Sequence, residues 1–423
     1  MVWLMFLVFF ILLFLRFPIA FSLGISTFIY ILVEGIPLIV IPLKMYSGID
    51  VFVLLSIPGF ILAGNLMNSC GMTDRIIRFS NNLLGHIRGG LSLANIGASM
   101  IFAGISGTAI SDTASIGSVM IPAMKKEGYD PAFSCAVTAA SSTIGPIIPP
   151  SLPMIIAGSL TGISIGKLFL AGAVPGLLLA IGLGIVSYSI SIRKNHPRQP
   201  KSTWKQRGKG FADAFYALLM TLLILFGIIG GFFTPTEASV VAVLYALLVG
   251  SLIYRTLTWK GIADVMTGSA GTTASLMILV GFANLFGWIL ISEQVPQSLA
   301  ELLLSITQNK FLLLLLINIL LLVVGSFMET IAALLIVYPI LLNVAVSVGI
   351  DPIQFSVVAV LNLIIGLNTP PVGVCLFVAS GIGKVSVEKV AKAGFPFLLI
   401  SLLVLLLVTY IPALSLFLPG LFK

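Results

Sequence analysis

Charge is what this sequence has least of. Only 9% of its 423 residues are Asp, Glu, Lys or Arg, where a soluble domain carries about a quarter. Histidine is nearly missing, with His86 and His196 alone. The three cysteines, Cys70, Cys135 and Cys375, are odd in number, scattered and set in apolar segments. That excludes a disulfide framework and a cysteine metal site. The shortage of charge excludes an ordinary soluble domain. The space is filled instead by hydrophobic residues, 59% of the chain. They recur from Val2 to Leu418 in runs of about 20, each long enough to cross a bilayer as a helix. The chain reads as an all-α polytopic membrane protein. Its first run, VWLMFLVFFILLFL, lacks a basic start and a small-residue cleavage site, so it reads as a membrane helix and not a signal peptide.

The few charges are placed unevenly. Residues 193–210 hold Arg193, Lys194, Arg198, Lys201, Lys205, Arg207 and Lys209 with no acid. Between two membrane helices this marks a cytoplasmic loop and not a nucleic-acid patch. Outward from it, the spans 167–192 and 131–158 lead back to a segment, 89–127, with basic residues at both ends: Arg75, Arg78, His86 and Arg88 before it, Lys125 and Lys126 after it. Both ends belong in the cytoplasm, so the segment reads as a re-entrant hairpin. Forward from the loop, 311–348 is again too long for one helix and too short for two spans with a loop. Its flanks lack the basic excess, so it reads as a second hairpin entering from the opposite side.

The halves align with each other. At an offset of 217, Asp112-Thr113 matches Glu329-Thr330 and Pro122 matches Pro339. At 221, Asp130-Pro131 matches Asp351-Pro352, Gly145 matches Gly366, and Pro149-Pro150 matches Pro370-Pro371. An odd number of crossings between equivalent points sets the two repeats in opposite orientations, as in secondary transporters. The expected first repeat is 1–192, with helices in 1–70, an interfacial segment at 72–88, a hairpin at 89–127 and a broken helix at 131–158. The expected second repeat is 211–423, with helices in 211–254, a counterpart segment at 257–266, a hairpin at 309–348 and a broken helix at 352–380. The prolines of SSTIGPIIPP and GLNTPP remove donors and break both spans. Unwound backbone at that depth lines protein or a water-filled cavity, and supplies carbonyls to a cation or amides to an anion.

The hairpin tips, 104–113 and 325–330, hold the remaining polar groups. Gly104-Ile105-Ser106-Gly107 fits a serine-nucleophile pattern. A nucleophile needs a base, and neither histidine nor Lys125 and Lys126 lies at that depth. Asp112 and Glu329 are intramembrane carboxylates and therefore functional candidates. Three roles are open to them: binding a cation, carrying a proton, or bracing the tip. Tips and breaks contain no Arg or Lys, so an anionic solute needs helix ends, hydroxyls and co-bound cations. A cation-coupled transporter is expected, with a proton-coupled anion transporter lacking a binding protein, or an ion channel, as alternatives.

GISGTAISDTASIGSVMIPAMKKEGYDP, SSTIGPIIPPS, FTPTEAS and GLNTPPVG together resemble the large membrane subunit of the tripartite ATP-independent periplasmic (TRAP) transporters, over essentially the whole chain. The resemblance implies a Na⁺-coupled importer of an organic acid anion, such as sialic acid or a C4-dicarboxylate, with no further cofactor. It implies an elevator, in which a body holding hairpins and broken helices slides against a scaffold. Segments 72–88 and 257–266 would be the arms between them. It implies two partners, a small four-helix membrane subunit, expected as a separate polypeptide, and an extracytoplasmic binding protein, in the bacterial inner membrane. Carried over, one Na⁺ site uses Gly104, Ser106, Thr108, Ser111, Asp112 and the backbone at Gly145. The other uses Gly325, Ser326, Glu329, Gly366 and Thr369. The solute lies near Ser142, Thr143, Pro146, Asn368, Thr369 and Pro370.

Overall fold

A computed structural model describes residues 2–15, 17–307 and 309–421, without the side chains at 14, 103–106, 296, 299–300, 303–304 and 306. These residues form helices and no strand. The first half runs α1 (Val2–Phe14), α2 (Ile19–Val33), α3 (Val40–Ile49), α4 (Ser56–Ser69), α5 (Met72–Leu84), α6 (Gly90–Ser106), α7 (Ala109–Lys126), α8 (Pro131–Ser141), α9 (Leu152–Thr161) and α10 (Ile165–Arg193). The second runs α11 (Trp204–Ile229), α12 (Pro235–Leu248), α13 (Trp259–Ser292), α14 (Val295–Ile306), α15 (Lys310–Phe327), α16 (Thr330–Ser347), α17 (Pro352–Gly366), α18 (Val374–Gly383), α19 (Val387–Tyr410) and α20 (Ala413–Leu421).

The order of elements repeats: hairpin α6–α7, then α8, a break and α9; hairpin α15–α16, then α17, a break and α18. The caps show why. Asp130 and Asp351 each precede a proline and accept N–H bonds from the first turns of α8 and α17. A capping side chain with proline at the first helical position starts a helix. Pro175 of α10 and Pro396 of α19 keep the offset of 221, whereas Pro122 and Pro339, paired in the sequence at 217, stand one turn apart in α7 and α16.

Helices α6 to α9 and α15 to α19 pack with one another and against α10. Helices α1 to α4 pack with α11 to α13, and α13 touches α16. Helix α5 lies against both α6 and α11. Leu244, Leu248 and Phe226 are 55%, 57% and 64% exposed, while Asn95, Asn362 and Asp112 are fully buried. Polar groups inside and large apolar ones outside is the distribution of a protein solvated by lipid.

Two segments differ from the sequence expectation. The basic segment 193–210 is a loop only to Thr203, where a capping box with Gln206 starts α11. Segment 257–266 is no separate piece, because from Trp259 it is the start of the 34-residue α13. The element just before the second hairpin, as α5 is before the first, is α14. Helix α19 ends at Tyr410, before Pro412, and a short α20 follows. Finally, α15 and α16 are 18 residues each, joined by two residues, and each is long and apolar enough to cross a membrane. Length alone therefore does not make the second hairpin re-entrant.

Candidate transport site

The tips are tighter than their composition suggests. Helix α6 runs through Gly104 and Ser106, whose side chains lie outside the described residues, and α7 resumes at Ala109. Only Gly107 and Thr108 are outside helix. Gly107 has φ +63°, a left-handed conformation that favours glycine. Thr108 caps α7, its Oγ1 accepting from the Ser111 amide at 3.4 Å. Ser111 and Asp112 thus stand in the first turn of α7. At the other tip, Gly325 and Ser326 end α15, and only Met328 and Glu329 fall outside helix. The Glu329 carboxylate accepts from the amides of Ile331 at 2.8 Å and Ala332 at 3.3 Å. It caps α16, where a negative charge also meets the helix dipole.

Each tip meets a break. Asp112 is fully buried, and a Cβ at Gly145 would collide with its Oδ2. A Cβ at Gly366 would meet Gly325 Cα at 2.6 Å and its carbonyl oxygen at 2.8 Å. Ser326 accepts from the Gly373 amide at 3.3 Å. The tips are therefore packed against the breaks inside the protein. Helix α18, which follows the second break, packs against α7 of the first hairpin, so the two tip–break pairs are neighbours.

The breaks follow from their prolines. After α8 a 3₁₀ turn, Ser142–Ile144, leads into an irregular stretch. The Pro146 carbonyl accepts from Ser151 Oγ, which in turn caps α9 by accepting from Met154 N at 3.2 Å. The Pro149–Pro150 and Pro370–Pro371 bonds are both cis. Hydroxyls at these places donate to carbonyls of their own helices: Ser142 to Thr138 at 2.8 Å, Thr143 to Ala140 at 2.6 Å, Thr369 to Ile365 at 3.0 Å and Ser326 to Val323 at 2.7 Å. A hydroxyl that gives its proton away keeps lone pairs for a cation. Asn368 Nδ2 donates to the Ala139 carbonyl at 2.8 Å and ties the second break to α8.

The expected solute residues separate by exposure. Ser142, Thr143 and Pro146 are buried, Asn368 and Thr369 are half-buried, and Pro370 is exposed. Thr143 and Asn368 line one small cavity with Ser401. Among the described residues no three His, Cys, Asp or Glu side chains come together.

Sequence reasoning passed over a buried polar network that occurs in both halves. Asn95 of α6 donates to Thr138 Oγ1 at 2.6 Å, and Ser141 Oγ reaches Asn95 Oδ1 at 3.4 Å. Asn362 of α17 donates to Asn318 Oδ1 at 2.7 Å, and Asn318 of α15 donates to Thr409 Oγ1 at 3.0 Å. These bonds hold each hairpin to its broken helix. The signal was present: Asn318 and Asn362 interrupt runs of leucine, isoleucine and valine.

An all-helical membrane protein whose two hairpin tips meet two broken helices is built as a transporter. Its fold is that of solved transporters, such as YdaH of Alcanivorax borkumensis, with TM-score 0.59 and 15% identity over 84% of this chain and 83% of that one. The chain belongs to the DctM component family of the tripartite ATP-independent periplasmic transporters, whose sequence profile matches residues 6–414. The sialic acid TRAP transporter large permease protein SiaM of Vibrio cholerae is 45% identical over 379 residues, 90% of this chain and 89% of that protein. The C4-dicarboxylate TRAP transporter large permease protein DctM of Rhodobacter capsulatus is 37% identical over 420 residues, covering 96% and 95%. The chain is thus a multi-pass permease of the bacterial inner membrane and not an enzyme.

Proposed function

We propose that this permease imports an organic acid anion of the sialic acid or C4-dicarboxylate class, coupled to Na⁺. The observation that carries the reading is the paired contact of tip and break, Asp112 with Gly145 and Gly325 with Gly366. One Na⁺ would sit at each pair. The first uses Gly104, Ser106, Thr108, Ser111 and the backbone at Gly145; the second uses Ser326, Thr369 and the backbone at Gly325 and Gly366. The solute anion would lie between them, by Ser142, Thr143, Asn368 and Thr369 with Pro146 and Pro370. With no Arg or Lys in tips or breaks, its charge is balanced by the ions and the amides of unwound backbone. Ion binding then precedes tight solute binding and couples the two.

In this reading the hairpins and broken helices form the moving body of an elevator, and α1 to α4 with α11 to α13 form the scaffold. Contact of α5 with both α6 and α11 supports its role as an arm. The basic segment faces the cytoplasm. A small four-helix membrane subunit completes the scaffold, and an extracytoplasmic binding protein delivers the solute. Relatives named for sialic acid and for C4-dicarboxylates support the solute class. The test is reconstitution in liposomes with both partners and a panel of organic acids. An inward Na⁺ gradient drives uptake and an equal K⁺ gradient does not. Uptake of no acid in the panel, or uptake driven by a proton gradient in Na⁺-free buffer, would overturn the reading.

A further inference from the structure

A cavity of about 470 Å³ opens between α3 and α13 on one side and α9 and α16 on the other. Its size is that of a small-ligand site, and its wall is mostly apolar with a few convergent polar groups. Those groups are Lys44, Ser47, Ser159, Asn284 and Asn343. Lys44 is the one ionisable side chain in the lining. Its ammonium stands 5.2 Å from the centroid of the Trp288 ring, within cation–π range. Asn284 Nδ2 donates to the Lys44 carbonyl at 2.7 Å and reaches Ser47 Oγ at 3.4 Å, pinning α3 to α13. A second cavity, about 620 Å³, shares Val51 and Ser159 with the first, and Lys167 is its one ionisable lining residue. Neither lining contains a carboxylate. The nearby Glu293 is engaged elsewhere, accepting from the Tyr30 hydroxyl at 2.5 Å.

Both cavities lie towards the end of α13 at Ser292 and of α9 at Thr161, the periplasmic side in the orientation proposed above. Cations are expected mainly on the cytoplasmic side. A lysine on the opposite face, set in a concave wall without an acid, is not explained by topology. A cleft lined by one sign of charge with low-dielectric walls focuses the field and concentrates the opposite ion. We propose that Lys44 is an anion-binding residue of an outer vestibule, holding a carboxylate of the solute before it reaches the hairpin tips, with the Trp288 ring as the apolar wall beside it. The proposal rests on the organic-acid reading of the function.

Two measurements test it. In liposomes with both partners, Lys44→Gln raises KM about tenfold with Vmax within about twofold, the loss of binding without loss of turnover. Lys44→Arg restores KM, and Lys44→Glu raises it further. The second measurement needs no transport. In a variant that keeps Trp288 alone (Trp3, Trp204 and Trp259 changed to Phe), the ratio of iodide to caesium quenching exceeds that of free N-acetyltryptophanamide, and Lys44→Gln brings it down towards that reference. An unchanged KM in Lys44→Gln, or a Vmax loss that Lys44→Arg does not restore, overturns the vestibule. Wild-type protein that takes up no organic acid overturns the function instead. The quenching contrast then decides by itself whether this cavity collects anions.

Discussion

Asp112 and Glu329 align in the sequence, but the structure sets them one turn apart: Asp112 stands inside the first turn of α7, and Glu329 caps α16 as Thr108 caps α7. Asp112 is buried against Gly145, while Glu329 turns its carboxylate onto the amides of its own helix. For Glu329 the bracing role is the one the geometry supports. An amide oxygen accepts the same two N–H bonds, so Glu329→Gln keeps uptake and the Na⁺ half-saturation of the wild type within about twofold. Glu329→Ala loses a helix cap, typically about 1 kcal/mol, and lowers the thermal midpoint of the purified protein. A Na⁺ half-saturation shifted equally in both variants would make Glu329 an ion ligand. At this scale the glycines, prolines and carboxylates were legible, because each residue type has few uses inside a membrane. Asn95 was not, since what makes it matter is a partner 43 residues away, and Asn318, though it stands out among its leucines, does not show its partner 44 residues on.

Hairpins and breaks were legible as elements because charge marks the ends of the first and proline marks the second. The boundary at 257–266 was not. Lys260 and Asp264 give 257–266 the look of a surface helix. The following Thr-Gly-Ser-Ala-Gly contains no proline, and glycine is tolerated in membrane helices, so α13 simply continues. What holds a hairpin to its broken helix is testable by a double-mutant cycle on Asn318 and Asn362. Each change to Ala costs roughly 1 kcal/mol, and the coupling between them is about 0.6 kcal/mol, the average for polar pairs between membrane helices. Strictly additive shifts in chemical denaturation would mean that the two residues act independently.

For the whole molecule, the informative segment is the one joining the halves. Residues 194–203 are strapped across the first half. Lys194 pairs with Asp130 at 2.7 Å. His196 sits 4.6 Å from Tyr129 and 4.7 Å from Phe133, ring centre to ring centre, with Nδ1 against Ser191 Oγ. Gln199 accepts from Asn81 and donates to Glu127. Burial holds the His196 imidazole below its ordinary 6.5, helped by the Lys194 charge. Burial would raise the Asp130 carboxyl, but the Lys194 ammonium and the Ala132 amide hold it below its ordinary value. Both shifts have the same consequence. The folded form binds protons less readily than the unfolded one, so stability is lost as pH falls, first below 6.5 through His196 and further down through Asp130. The amides of Gly89 and Gln199, bonded to Pro197 and Gly85, should lose hydrogen-exchange protection between pH 7 and 5, after correction for intrinsic rates. Protection that stays flat over that range would sink the assignment. Between Asp130, on the hairpin–broken-helix body, and the start of α11 runs a leash of ten residues, roughly 33 Å at full stretch. If that body travels, the leash sets its stroke, and the Asn81–Gln199 and Asn82–Ser202 bonds are the first stitches to be undone and resewn in every cycle.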